Sequence, residues 1–145
     1  MAQPSRAWAV VVVGSILLTG CAGVRPEKTL YERVGGLPTL RKVVDDFVDR
    51  LRVDPRVQRF FADSNIPLVK ERLVHLTCEV SGGPCTYLGA DMKTAHVGLR
   101  ISNADFDAVV EDFGASLDKF GVRAREKGEL LSILGKLRSD VVENR

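Results

Sequence analysis

The chain is short of the residues that usually carry chemistry. It has 145 residues, of which two are histidine and three cysteine, too few and too awkwardly spaced for a structural zinc site. No G-x-S-x-G or comparable turn sets a serine or cysteine beside a histidine, which argues against nucleophilic hydrolysis. No glycine-rich loop has the spacing that cradles phosphate at a helix start. An excess of charge is missing too: 21 Lys and Arg stand against 19 Asp and Glu, without a basic run, so the electrostatic footprint of a nucleic-acid surface is absent. From Thr29 onward there is no period-two stretch of β-branched residues bounded by turns, and no internal repeat or low-complexity tract. What remains is helical periodicity, and the sequence predicts one all-α domain.

The first twenty residues differ from the rest. Arg6 is their only charge, and AWAVVVVGSILL is a twelve-residue apolar run, too short to span a bilayer and of the length of a signal-peptide core. LTGC follows at once and resembles the lipobox of bacterial lipoproteins, which implies cleavage before Cys21 and acylation of it. The expected organisation is a signal peptide over 1–20, a lipidated cysteine and tether over 21–28, and a globular domain over 29–145. More than one acyl chain on Cys21 would anchor the protein stably, outside the cytoplasm at a periplasmic face or cell surface. Cys78 and Cys85 then remain, in a compartment that permits disulfides; a bridge between them and two buried thiols are both compatible with the sequence.

The helical pattern is regular. TLYERV predicts a short first helix stopped at Gly35 and Gly36. A second helix beginning near Pro38 places Leu40, Val43, Val44, Phe47, Val48 and Leu51 on one stripe. Asp54 and Pro55 are placed to open a short helix ending near Phe60 and Phe61. The next opens around Asn65 to Pro67 and lines up Val69, Leu73, Leu76 and Val80 before Gly82-Gly83-Pro84. GGPCTYLGAD, with three glycines and a proline in ten residues, is irregular and leads to a brief helix over Met92 to Val97. Ser102 and Asp105, spaced as in a capping box, start a long helix carrying Phe106, Val109, Val110, Phe113 and Leu117. A last helix aligns Leu130, Ile133, Leu134, Leu137 and Val141, with Gly128 and Gly135 each weakening it by about 1 kcal/mol relative to alanine.

His96 sits in the brief helix, after the loop and between two apolar-faced helices long enough to wall a pocket, with a double phenylalanine upstream. A lone helical histidine is more often an ordinary polar residue than a ligand, but these surroundings suit one axial ligand to a flat, apolar cofactor. Over the span from Leu30 to about Val142 the chain resembles the group I truncated haemoglobins of bacteria. LYERVGGLPTLRKVVDDF resembles that family's opening helix, glycine pair and second helix. RFFADSN resembles its phenylalanine corner, and GGPCTYLGADMKTAHVGLRIS the loop and segment that present the proximal histidine.

The resemblance implies a two-over-two helical sandwich around haem b, with His96 as the iron ligand. Neutral imidazole binds iron through one nitrogen while the other donates to a fixed acceptor. Phe61 takes the position packed on the porphyrin, supported by Phe60. Tyr87 and Met92 match positions at the proximal or edge side, and Arg72 falls where a basic residue can pair with a propionate. No C-x-x-C-H is present for covalent attachment. Many relatives place a tyrosine and a glutamine over the haem as hydrogen-bond donors. Here the tyrosine position is Val48, the glutamine position Leu73, and the position nearest the iron on the roof helix Val69. Thr77, one turn beyond Leu73, is the only candidate hydroxyl on that face, and it can instead bond its own helix. His75 is turned about 200° from Leu73 around the helix and is not expected to face the iron.

The expectation is therefore a membrane-tethered haem protein that binds dioxygen, nitric oxide or carbon monoxide in an apolar distal pocket, more a gas binder than a dedicated enzyme. Reaction with nitric oxide or redox turnover would need an external electron donor. The competing reading is a globin scaffold that has lost haem and acts as an interaction module. The stripped distal side favours it; His96, Phe61 and YLGADMK speak against it.

Overall fold

The structure, a computed structural model, describes residues 27–143. The apolar run, Cys21 and most of the tether lie outside the described residues. Within them seven helices follow one another: α1 (Leu30–Val34), α2 (Gly36–Leu51), α3 (Ile66–Val80), α4 (Met92–His96), α5 (Asn103–Lys119), α6 (Ala124–Lys136) and α7 (Arg138–Val141), with a 3₁₀ turn at Gln58–Phe61. No strand occurs among them, and none of these helices is long and apolar enough to cross a membrane.

Local chemistry fixes where the helices begin. Thr29 and Glu32 cap α1 reciprocally: the Glu32 amide donates to Thr29 Oγ1 at 3.2 Å and the Thr29 amide to Glu32 Oε2 at 2.9 Å. Gly35, at φ +107°, ends α1 and opens α2 in a single residue. A side chain there would be strained, and its Cβ would fall 2.5 Å from Thr39 Oγ1, so glycine is required. The second helix thus starts at Gly36, ahead of Pro38, which sits comfortably in its first turn. Asn65 caps α3 through Leu68 N, and Ser102 with Asp105 forms the expected capping box on α5.

Two elements differ from the sequence reading. The Asp54 side chain accepts the amide of Arg56 at 2.8 Å, closing a local turn in place of a helix cap, so regular structure starts only at Gln58 and is 3₁₀. The last helix is broken at Leu137, which ends α6 and opens α7. The break turns Val141 and Val142 onto Ile101 and Phe106, a small core of their own.

The helices form two pairs. α2 packs against α3 and also across α5, and α5 pairs with α6. The α2 stripe is wholly buried, Leu40, Val43 and Val48 completely. The Phe47 and Phe113 rings meet at 5.1 Å between centroids, tilted by 54°, a separation typical of an attractive aromatic pair. α1 lies across the end of α6 through Glu126, which is 2% exposed. Arg33 Nε and Arg123 approach its Oε1 at 3.2 and 3.0 Å, and Arg33 also pairs with Glu129.

Asp46 on α2 ties the two pairs together. It accepts from Ser116 Oγ on α5 at 2.8 Å, from Arg50 at 2.7 Å and from Lys119. Burial alone would raise its carboxyl, but the hydrogen bonds from Lys119, Arg50 and Ser116 outweigh it and hold the pKa at about 2, below the ordinary 3.8. The folded form therefore binds its proton less readily than the unfolded chain, so the ionised group's stabilisation is present above about pH 4 and is lost as pH falls toward about 2. Asp46→Asn is expected to cost on the order of 2 kcal/mol at neutral pH and to flatten the pH dependence in that window. Urea unfolding at pH 7 and pH 3 checks both; an unchanged acid slope would remove Asp46 from this role.

Candidate functional site

Sequence periodicity assigns Val69, Leu73, Leu76 and Val80 to one face of α3, but the residues of that helix that bury fully are Val74 and Cys78. Leu73, Leu76, Thr77 and Val80 instead line a cavity, together with Phe47 of α2, Phe113 of α5, Leu130, Ile133 and Leu134 of α6, and Leu137. Thr77 is the one polar side chain in that wall, and its hydroxyl makes no hydrogen bond among the described residues. An apolar chamber with a single polar group is the form taken by small-molecule and cofactor sites. The sequence places Phe47, Phe113 and the α6 leucines on apolar faces without singling them out as cavity walls, because a helix face turned to a cavity has the same period as one turned to packed side chains.

The expected distal residues divide between two places. Leu73 and Thr77 are in the cavity wall. Val48, fully buried, packs with Val44 and Val74, and Val69 lies half-buried against that group. Leu73 belongs to both places, so the valine cluster adjoins the cavity through it. His75 is half-buried and does not line the cavity. Phe61 is half-buried against the main core, beside Phe60. Arg72 is half-buried and forms no ion pair among the described residues.

α3 ends at Ser81, whose hydroxyl donates to the carbonyls of Thr77 and Cys78 at 2.6 and 3.1 Å. The turn beyond is drawn against α1. Tyr31 N donates to Ser81 O and Gly83 N to Cys78 O, both at 2.8 Å. A Cβ on Gly83 would fall 2.6 Å from both Cys78 Sγ and the Tyr31 ring, which explains the second glycine of the pair. Cys78 and Cys85 are joined as a disulfide. The Tyr87 hydroxyl donates to Ala90 O at 2.9 Å, bending the chain toward Asp91.

Asp91 caps α4, accepting the Thr94 amide at 2.9 Å, and hydrogen bonds from Thr94 hold its carboxyl below the ordinary value. Met92, the first residue of α4, is half-buried on the Ile101 and Phe106 cluster. One turn on, His96 Nδ1 lies 2.7 Å from the Met92 carbonyl. A carbonyl oxygen can only accept, so Nδ1 carries a hydrogen, and in the neutral ring Nε2 is then the nitrogen with the lone pair. The imidazole is half-buried, and Nε2 has no partner among the described residues. This is the second-sphere arrangement that orients a metal-binding histidine.

The segments on either side of His96 carry large apolar side chains in the open: Leu88 is 78% exposed, Val97 73% and Leu99 43%. Neither they nor His96 line the cavity; they form a separate exposed apolar set in the histidine segment, of the kind that meets a ligand or partner. No cluster of three or more His, Cys, Asp or Glu suited to a bare metal ion occurs among the described residues. A single imidazole with exposed apolar neighbours in sequence instead suits a macrocycle-bound iron, in which the macrocycle supplies the other ligands.

Comparison with known proteins agrees with this chemistry. The bacterial-like globin family pattern matches residues 29–143. A group 1 truncated hemoglobin of Tetrahymena thermophila is 29% identical over 117 residues, covering 81% of this chain and 97% of that protein. One from Synechocystis is 32% identical over 111 residues, covering 74% and 90%. The crystal structure of the Tetrahymena pyriformis truncated hemoglobin in its Fe(III) form superposes with a TM-score of 0.78 at 28% identity, over 81% of this chain and all of that one. With its two helix pairs, its apolar cavity and the pinned histidine of α4, the chain belongs to the bacterial-like globin family and is a truncated globin, of the kind that binds haem b.

Proposed function

We propose that this protein binds haem b with His96 as the proximal iron ligand and takes diatomic gases on the opposite side, under the apolar wall formed by α3. The observation that carries the reading is the Met92 carbonyl 2.7 Å from His96 Nδ1, which fixes the tautomer and leaves Nε2 for iron. Haem supplies an iron that binds dioxygen, nitric oxide or carbon monoxide. The chain's part is to hold the ring, exclude water and decide which gas stays. Phe61 would pack on the macrocycle, Tyr87 and Met92 would border it, and Arg72, with no ion partner among the described residues, would meet a propionate. An external electron donor would be needed for any turnover.

The distal side is poor in donors. Leu73 in the cavity wall, and Val48 and Val69 in the cluster that adjoins it, offer only hydrocarbon, and Thr77 is the one hydroxyl in that wall. A ligand that gathers negative charge, as dioxygen does, gains about 1.5–3 kcal/mol from a well-aimed donor; carbon monoxide gains little. Val48, Val69 and Leu73 therefore favour rapid oxygen release. The protein works from a membrane surface, held by lipid on Cys21 at a periplasmic face or cell surface, a reading supported by the lipobox-like LTGC and by a disulfide that suits an oxidising compartment.

Ultraviolet-visible spectra with haem supplied test the proximal assignment: one haem per chain is expected, and His96→Ala should abolish or change the ferrous spectrum. Failure of the folded wild type to take up haem would leave an interaction module as the better reading. Leu73→Gln, which sets an amide in the cavity wall, should slow oxygen release by roughly tenfold or more and carbon monoxide release much less; stopped-flow ligand exchange measures both, and equal effects would remove Leu73 from the distal side. Cys21→Ser should move the protein out of the membrane fraction and abolish labelling with a fatty-acid analogue. Membrane recovery unchanged by that substitution would end the lipoprotein reading.

A further inference from the structure

The segment that delivers His96 has few attachments. Residues 84–90 lie outside any helix. Among the described residues, two bonds tie their atoms to the body of the protein: the covalent link from Cys85 to Cys78, and the hydrogen bond from Tyr87 N to Glu79 Oε2, exposed and 3.2 Å long. The bond from the Tyr87 hydroxyl to Ala90 O stays inside the segment. The two anchors differ greatly in strength. Cys78 is fully buried in the main core, and Cys85 packs half-buried against the same core, whereas an exposed hydrogen bond competes with water.

The two ends of the bridge belong to opposite sides of the site. Cys78 follows Thr77 on the helix that walls the cavity. Cys85 lies six residues before Asp91, whose side chain caps α4. α4 has only five residues and cannot hold its direction by its own hydrogen bonds. Its first residue, Met92, packs on the Ile101 cluster, and past its last turn the Gly98 amide donates to Glu143. In the stretch ahead of Asp91 the disulfide is the firm attachment.

We propose that the Cys78–Cys85 disulfide is a positioning element for His96: it registers the proximal helix against the cavity wall, so that haem retention and the iron–imidazole bond follow the oxidation state of this pair. The inference rests on the haem-ligand reading of His96 given above. Opening the bridge is a two-electron step. A thiolate of a dithiol reductant attacks one cysteine sulfur, and the reductant's second thiol resolves the mixed disulfide. Two cysteine thiols and a cyclic disulfide result, with the two protons passing to the cysteine sulfurs. The freed 84–90 segment is then held by the exposed Tyr87–Glu79 hydrogen bond and by the packing of Cys85 against the core, and α4 loses its firm attachment ahead of Asp91.

The test uses the full chain loaded with haem, in three forms: oxidised wild type, wild type treated with dithiothreitol, and Cys85→Ser, which leaves Cys78 in the core. Transfer of haem to an excess of a scavenging apoglobin gives retention, compared between oxidised wild type and Cys85→Ser in the ferric state. Resonance Raman of the ferrous, ligand-free protein gives the iron–histidine stretch for all three. Amide hydrogen exchange gives local opening. Haem loss is expected to rise roughly tenfold or more, the range seen when an outer support of a metal ligand is removed. The iron–histidine band should shift or broaden alike in the reduced and substituted forms, and amides over 85–96 should exchange faster while α2 and α5 keep their protection. Haem loss and band unchanged would overturn the proposal. So would faster loss accompanied by lost protection in α2 and α5, because the bridge would then be a general staple of the fold. An oxidised wild type that takes up no haem would instead overturn the haem reading itself, and the inference with it.

Discussion

The two helix pairs meet where the Phe47 ring lies 5.1 Å from that of Phe113, and this contact sets both the core and the cavity. On one side the rings join the packed interior made by Leu40, Val43, Leu51 and Leu117; on the other they face the space under α3. The two rings share that space with side chains of α3 and α6, chiefly leucines. Interiors ordinarily fill to crystal-like density, so a chamber walled almost entirely by hydrocarbon is a departure the sequence maintains. The same crossing is reinforced from outside by Asp46, which joins α2 to Ser116 and Lys119 of α5 through a charged network.

Distal and proximal sides obey different physics. The roof is built from regular helix, so its chemistry is decided by which side chain each turn presents, and valine and leucine stand where donors would be. The floor is built from a loop and a five-residue helix, so its chemistry is decided by attachments: the Asp91 cap, the Met92 anchor, the carbonyl that holds the His96 ring, and the disulfide. Stability in such a region is local, carried by a handful of contacts in place of a broad packed face. On the proposed reading, single substitutions in α3 would alter gas selectivity, whereas the hold on the cofactor would depend on the connected set of residues from Ser81 to His96.

Much of this was legible beforehand. The α2 stripe from Leu40 to Leu51, the Ser102 and Asp105 capping box, the glycine stop after α1 and the brief helix at Met92 were all readable, because each depends on neighbours within a few positions. The family and its fold followed from the order of several motifs along the chain. The break at Leu137 was not readable, since Leu137 and Val141 continue the periodicity of α6 and only the second cluster around Ile101 shows why the chain turns. Asp54 suggested a helix cap, and its side chain chose the nearer Arg56 amide. A pocket beside Leu73 and Thr77 was expected, but its walls on α2, α5 and α6 were not readable, because residues such as Phe47, Phe113 and Leu130 have the same spacing whether they meet side chains or open space. Networks such as Asp46 with Ser116 join residues seventy positions apart, and no local pattern reports them.

Gly35 ends one helix and begins the next with no residue between them. A joint of that kind has no slack. A pull on the chain ahead of Thr29, as a membrane attachment would exert, cannot be taken up by a loop unwinding between α1 and α2. It is borne instead as shear across α1, against the buried Glu126 and its two arginines and against the Tyr31 amide bonded to Ser81. Load entering at the amino end therefore falls on α6 through Arg33 and Glu126 and, through the Tyr31 amide, on the Ser81 turn that begins the stretch leading to the histidine helix.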